Sequence, residues 1–277
     1  MVTLTTEKLG IAYGERDIVK DLNLKIPEGK VTTIIGPNGC GKSTILKTMA
    51  RILQAKTGVV YLDGKAIHKE STKEIAKKMA ILPQTPEAPS GLTVTELVSY
   101  GRFPHQRGFG KLTAEDKDIV RWALDVTGMT EFHDRTIDAL SGGQRQRVWI
   151  AMSLAQETDL LLLDEPTTYL DLAHQLEILQ LLERLNQEQK RTIVMVIHDL
   201  NHAARFAHHM VAINGGNIVK EGSPSEVMTC SVLQKVFNID AEIVTDPRTQ
   251  KPVCITYDLL GKCPVMQDHP LGLAKAL

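Results

Sequence analysis

Apolar residues along the chain change period several times, and each change marks an element. Leu22, Leu24 and Ile26 alternate with polar neighbours, which predicts a strand buried on one face. Pro27-Glu28-Gly29-Lys30 reads as a turn. The run at 31–35, Val-Thr-Thr-Ile-Ile, predicts a buried strand that leads into a glycine-rich loop. Beyond that loop Ile45, Leu46, Met49 and Leu53 share one side of a predicted helix. Apolar residues at 59–62, closed by Asp63-Gly64, predict a strand and tight turn, and 79–82 is a further apolar run.

After that run the character changes. Pro83, Pro86, Pro89 and Gly91 interrupt the chain, and helical patterns follow. Three helix starts are read as capping boxes: Ser71 with Glu74, Thr93 with Glu96, and Ser223 with Glu226. From Asp159 strands and helices alternate again. Strands are expected at 160–163 and 193–197, a helix with Leu172, Leu176 and Leu179 on its face, and another helix at 199–207. Residues 210–213 and 218–219 flank Asn214-Gly215-Gly216-Asn217 as a hairpin. Short strands at 242–244 and 253–256 are expected in the tail, with 272–277 left without structure. The alternation predicts an α/β fold with a parallel-sheet core, and about 85–158 is expected to be a helical insertion.

Composition narrows the function. Formal net charge is -1 over 277 residues, with no long run of one sign, so nothing supports a nucleic-acid partner. The four cysteines, Cys40, Cys230, Cys254 and Cys263, show no CxxC pair, and reduced thiols are expected. Cys254, Cys263 and His269 are too widely spaced to favour zinc. Residues 1–10 hold Glu7 and Lys8 and no apolar core, so a signal peptide is not expected. No stretch approaches the roughly 20 apolar residues that span a bilayer, so a transport role would need other chains to form the pore.

Gly36-Pro37-Asn38-Gly39-Cys40-Gly41-Lys42-Ser43, followed by Thr44, fits the phosphate-binding G-x-x-x-x-G-K-[ST] pattern, and it joins a predicted strand to a predicted helix. Its glycines let backbone N–H groups turn toward phosphate oxygens, with the helix dipole adding to the attraction. Lys42 is assigned to the β- and γ-phosphates, and the Ser43 hydroxyl to Mg²⁺. A buried strand ends in Asp164 and Glu165. Asp164 is placed to hold Mg²⁺, and Glu165 to orient and deprotonate the attacking water. Leu140-Ser141-Gly142-Gly143-Gln144 then supplies a second anion-binding device at a helix start. One chain does not need two, so this device is expected to face the γ-phosphate on a second copy.

With these motifs in this order, the chain resembles the ATP-binding subunits of ABC transporters over about residues 4–246. The resemblance implies a P-loop NTPase core with a RecA-like parallel sheet, an N-terminal antiparallel β part and the inserted helical part. It divides the chain into an ATPase domain at 1–246 and a C-terminal extension at 247–277. It further implies that Tyr13 stacks on adenine and that Gln84 approaches Mg²⁺ and the attacking water. By the same resemblance Asp171 lies at a dimer interface, and His198 contacts the γ-phosphate and positions Glu165. Tyr169 stands where many members have a small residue.

Within the family the chain is similar to ATPases of bacterial importers for iron–siderophores, haem and cobalamin, siderophores nearest. The similarity rests on residues 36–41, 92–97, 101–105, 144–147, 155–157 and 165–172. The implied protein is a homodimer on the cytoplasmic face of the bacterial membrane. It uses ATP and Mg²⁺, binds integral membrane permease subunits and works with a substrate-binding protein. Haem or cobalamin import, and a soluble ABC ATPase for cofactor assembly, are the alternatives.

Overall fold

The computed structural model describes residues 2–106, 111–168 and 170–261. The sequence readings on Tyr169, Cys263, His269 and 272–277 lie outside them. Among the described residues twelve strands form three sheets. β1 (Leu4–Tyr13), β2 (Arg16–Ile26), β4 (Thr57–Leu62) and β5 (Lys65–Ala66) make an antiparallel sheet in the order β2-β1-β4-β5. β3 (Val31–Ile35), β6 (Met79–Leu82), β7 (Leu160–Asp164), β8 (Thr192–Val196), β9 (His209–Asn214) and β10 (Asn217–Gly222) make the second. Its order is β10-β9-β3-β8-β7-β6, with only β10 antiparallel to its neighbour. β11 (Ile239–Thr245) and β12 (Pro252–Leu259) pair as a separate hairpin.

The helices are α1 (Lys42–Met49), α2 (Thr72–Ala76), α3 (Val94–Ser99), α4 (Ala114–Val126), α5 (Gly142–Ala155), α6 (Leu172–Gln189), α7 (Leu200–Phe206), α8 (Pro224–Val227) and α9 (Cys230–Phe237). No helix among the described residues is long and apolar enough to cross a membrane.

Every residue of β3, β7 and β8 is buried, as a parallel strand covered on both faces requires. Side chains along β7 alternate between two cores. Leu161 and Leu163 join the helical layer, whereas Leu160 and Leu162 join the core shared with the antiparallel sheet. This topology positions the site. Parallel β3, β7 and β8 all run the same way with β8 in the middle, so the loops that follow them meet at one edge of the sheet.

Several local expectations change in the folded chain. Leu53 lies beyond α1, which stops at Met49 and is followed by Arg51 in the left-handed region at φ 60°. Leu172 opens α6 but is 64% exposed, whereas Leu179 is buried as expected and shares the buried face with Ile178, Leu182 and Leu185. Ser71 makes only half of a capping box. Its hydroxyl accepts from the Glu74 N–H, but the Glu74 carboxylate pairs with Lys77 at 2.8 Å. An ammonium partner is the stronger attraction for a carboxylate on that exposed turn. The Thr93 box is complete, and Glu226 accepts from both the backbone and hydroxyl of Ser223.

Between β6 and β7 the chain passes through α3, α4 and α5, joined by a buried guanidinium. Arg102 donates through Nε to Asp116 on α4 at 2.8 Å, and through Nη1 to the Ala155 carbonyl and Glu157 at 2.7 Å each. Burial alone would raise the Asp116 carboxyl. The hydrogen bonds from Arg102 and Thr113 outweigh burial and hold it below its ordinary value. That stabilisation is present above about pH 3.9, the ordinary aspartate value, and is lost as pH falls through the lower folded value. Arg102→Leu is therefore expected to cost about 3 kcal/mol at neutral pH, because it strands a buried carboxylate. Urea midpoints should show the deficit shrinking as pH falls below the ordinary aspartate value and through the lower folded one, where Asp116 becomes neutral in the wild type too. A deficit independent of pH would refute the ion-pair account.

Candidate functional site

The phosphate-loop geometry follows from its glycines. Gly36 leaves β3 at φ 156°, and a Cβ there would sit 2.2 Å from the Ile213 carbonyl oxygen. Gly41 takes φ 105° at the start of α1. A side chain at either position would force the loop open. Cys40, within the loop, is buried. Burial pushes its thiol up, so it stays protonated and serves as packing, while its carbonyl accepts from the Gly216 N–H at 3.0 Å. Lys42 is buried and folds back over the loop, donating to the Gly36 and Pro37 carbonyls at 2.8 and 2.9 Å.

A cleft of about 590 Å³ opens above the loop. Asn38, Gly39, Gly41, Lys42, Ser43 and Thr44 form its floor, and Gln84, Glu165 and His198 form one wall. Tyr13 stands at the mouth, 53% exposed, not in the core. Gly36, Pro37, Cys40 and Asp164 do not line the cleft.

The acidic pair divides its work by depth. Asp164 is 1% exposed, and its Oδ1 accepts from the Ser43 hydroxyl at 2.7 Å. Its Oδ2 is buried with no hydrogen-bond partner. Burial pushes this carboxyl above its ordinary value, against the Ser43 hydrogen bond and the charge of Lys47. A buried oxygen without a partner costs free energy unless something else occupies it.

Glu165 sits just outside the strand in the left-handed region, at φ 54°. A non-glycine residue there carries local strain, and the turn is what aims the carboxylate into the cleft. Its Oε1 lies 2.5 Å from His198 Nε2. Its Oε2 accepts from Gln84 Nε2 at 2.5 Å and from the Thr168 hydroxyl at 3.0 Å. Three loops, after β6, β7 and β8, thus converge on one carboxylate. Because a carboxylate only accepts, His198 must carry a proton on Nε2 in this arrangement.

Ser141 and its neighbours lie elsewhere. Ser141 caps α5 with a reciprocal box: its hydroxyl accepts from the Gln144 N–H, and the Gln144 side chain accepts from the Ser141 N–H. Ser141 and Gly142 are exposed, and none of 141–144 lines the cleft. Gly143 is buried, and a Cβ on it would come 3.1 Å from the His174 ring. Asp171 caps α6 and accepts from both the backbone and the Nδ1 of His174, at 2.9 and 2.7 Å. The backbone N–H and ring of His174 hold the Asp171 carboxyl below its ordinary value. Both devices are therefore preformed and leave the chain's own cleft untouched.

Three contributors escaped the sequence reading. Ile18 and Thr168 line the cleft, and His174 braces 141–144 against α6. Only His174 left a signal, since Asp171 three positions earlier is a capping pattern.

Comparison with known proteins follows the same lines. A family model described as ABC transporter matches residues 19–168. The chain is 74% identical over 260 residues to the iron(3+)-hydroxamate import ATP-binding protein FhuC of Bacillus subtilis (strain 168), covering 94% of this chain and 97% of that protein. Among solved structures it is similar to a metal-chelate type ABC transporter in an inward-facing conformation. The TM-score is 0.79 and the identity 30%, over 92% of this chain and 96% of that one. It is also similar to the dimeric ATP-binding cassette MJ0796 bound to ADP and Pi. Here the TM-score is 0.68 and the identity 32%, over 80% of this chain and 98% of that one.

Proposed function

We propose, since this chain belongs to the ABC transporter family of ATP-binding subunits, that it powers uptake of iron(III)–siderophore complexes, iron(III) hydroxamates foremost. The observation that carries the cargo is the 74% identity to an iron(3+)-hydroxamate import protein over nearly the whole of both chains. Haem and cobalamin import and soluble cofactor assembly are weaker readings for the same reason. The chain hydrolyses ATP, and its cleft assigns a role to each group.

Backbone N–H groups of 38–44 cradle the phosphates at the start of α1. Lys42, now satisfied by two loop carbonyls, exchanges them for β- and γ-phosphate oxygens. Tyr13, exposed at the mouth, offers its ring to the adenine. The unpartnered Oδ2 of Asp164, the Ser43 hydroxyl and the Gln84 amide are hard oxygen donors that fit Mg²⁺. When bound there, Mg²⁺ would neutralise charge on the phosphate oxygens.

Glu165 takes a proton from the attacking water as its oxygen bonds to the γ-phosphorus and the bond to the ADP oxygen breaks. His198 and Thr168 hold the carboxylate in place, and Gln84 links it to the chain that leads into α3.

Two copies face each other so that 141–144 of one complete the γ-phosphate site of the other, with Asp171 at the seam. ATP binding favours the closed dimer and hydrolysis releases it, a two-state element biased by ligand. The ATPase lies on the cytoplasmic face of the membrane, held by permease subunits that receive the motion through 84–105. A substrate-binding protein delivers the cargo, and nucleic acid has no part.

Uptake of labelled ferric hydroxamate tests the reading directly. Cells whose only copy carries Lys42→Ala should take up no more than cells lacking the gene. Unchanged uptake would overturn the cargo assignment, while loss of uptake of a different chelate alone would reassign it.

A further inference from the structure

The hairpin of β11 and β12 lies outside the nucleotide cleft, and nothing above gives it a task. Its attachment is specific. Asn201, on the first turn of α7, reads both backbone groups of one residue of β12. Its Nδ2 donates to the Cys254 carbonyl at 3.1 Å, and its Oδ1 accepts from the Cys254 N–H at 2.8 Å. One side-chain amide thus takes the place of a neighbouring strand at the edge of the hairpin. A second tie closes the other end of the helix, where Lys251 Nζ donates to the Ala207 carbonyl at 2.8 Å. Cys254 is buried at this contact.

The helix so bracketed is the one that follows His198. Asp199 caps it, accepting from the His202 N–H at 2.6 Å, and His198 is the residue immediately before that cap. Among the described residues the His198 ring has no comparable anchor on its own loop. Its contact at 2.5 Å is to Glu165. Any slide or tilt of α7 is therefore transmitted to the imidazole within one residue. Thr33 holds the middle of α7 to β3, donating to the Ala203 carbonyl at 3.2 Å. Just past the far end, the His208 N–H also donates to the Val31 carbonyl of β3 at 2.8 Å, so it is the first turn, next to His198, that Asn201 ties to the hairpin.

We propose that Asn201 is a positioning residue, and that through it the C-terminal hairpin sets where His198 stands relative to Glu165. This rests on the reading of His198 and Glu165 given above. The hairpin is then a splint for the catalytic edge of the sheet, and residues far along the chain bear on hydrolysis without touching nucleotide.

The test is a double-mutant cycle on the full-length protein. Asn201→Ala should lower kcat by roughly tenfold while KM for ATP stays within about twofold, because misplacement harms the chemical step and not binding. In the His198→Ala background the same change should cost nothing further. Equal losses in both backgrounds, or an unchanged kcat, would overturn the proposal. Lys251→Met cuts the other tie and should show the same dependence on His198 should Asn201→Ala fold poorly. A readout independent of activity separates this idea from the site reading. The His198 imidazole signal in histidine-labelled protein, identified by its loss in His198→Gln, should move in Asn201→Ala. A signal that stays put refutes the splint. Wild-type turnover of His198→Ala would instead overturn the role of His198, and the imidazole signal would then decide the splint alone.

Discussion

Glu165→Gln is expected to bind ATP normally and to hydrolyse it about 10²–10⁴-fold more slowly. The substitution is nearly isosteric, so the left-handed backbone at 165 and its cost are retained. The new amide can still accept from His198 Nε2 or the Thr168 hydroxyl. Gln84 can turn its own amide to present oxygen where it now presents nitrogen. What disappears is the proton acceptor alone. The nucleotide-bound dimer should accumulate, because closure survives and the step that opens it does not. Single-turnover phosphate release measures the first effect, and gel filtration with and without ATP the second. Wild-type phosphate release would end the general-base role, and a strictly monomeric variant in ATP would count against the sandwich.

Two inactive variants should rescue one another. Lys42→Ala empties the phosphate loop, and Ser141→Arg blocks the exposed cap of α5 without touching the chain's own cleft. Each alone is expected to show no ATP-dependent activity. In an equal mixture, half the pairs are mixed, and each mixed pair holds one site with an intact loop from one copy and an intact cap from the other. About a quarter of wild-type hydrolysis should return by chance pairing. ATP-dependent dimers should also form in the mixture from copies that do not form them alone. If Ser141→Arg is fully active by itself, or if the mixture forms no dimer, the site is complete within one chain and the two-copy reading fails.

Much of the machinery was legible in contiguous residues. The glycines of 36–41 declare a loop that only they can adopt, since a Cβ at Gly36 would strike the Ile213 carbonyl. The apolar run into Asp164 and Glu165 declares a buried strand that ends in acids, and Ser141 with Gln144 declares a capped helix start. Each is written in the sequence because its cause acts over a few residues, through backbone sterics or a hydrogen bond three positions away.

Other features depended on partners that no local pattern names. Leu172 sits in a helical stripe yet faces outward, because the packing of α6 on the sheet and not its period selects the buried face. The Asn201–Cys254 contact left no mark, since neighbours 53 positions apart meet only when the chain closes. Thr168, three positions from Glu165, is a local contact that the sequence reading did not single out.

By itself, then, the sequence determined the parts: the loop, the acid pair, the capped helix start, and the parallel α/β class that holds them. Tertiary structure decided their assembly. It inserted β8 between β3 and β7, brought Gln84 and His198 onto one carboxylate, and left 141–144 outside the cleft. The division has one physical cause. Sterics and capping are short-range and act before folding, whereas strand order and burial are set by which distant surfaces exclude water together.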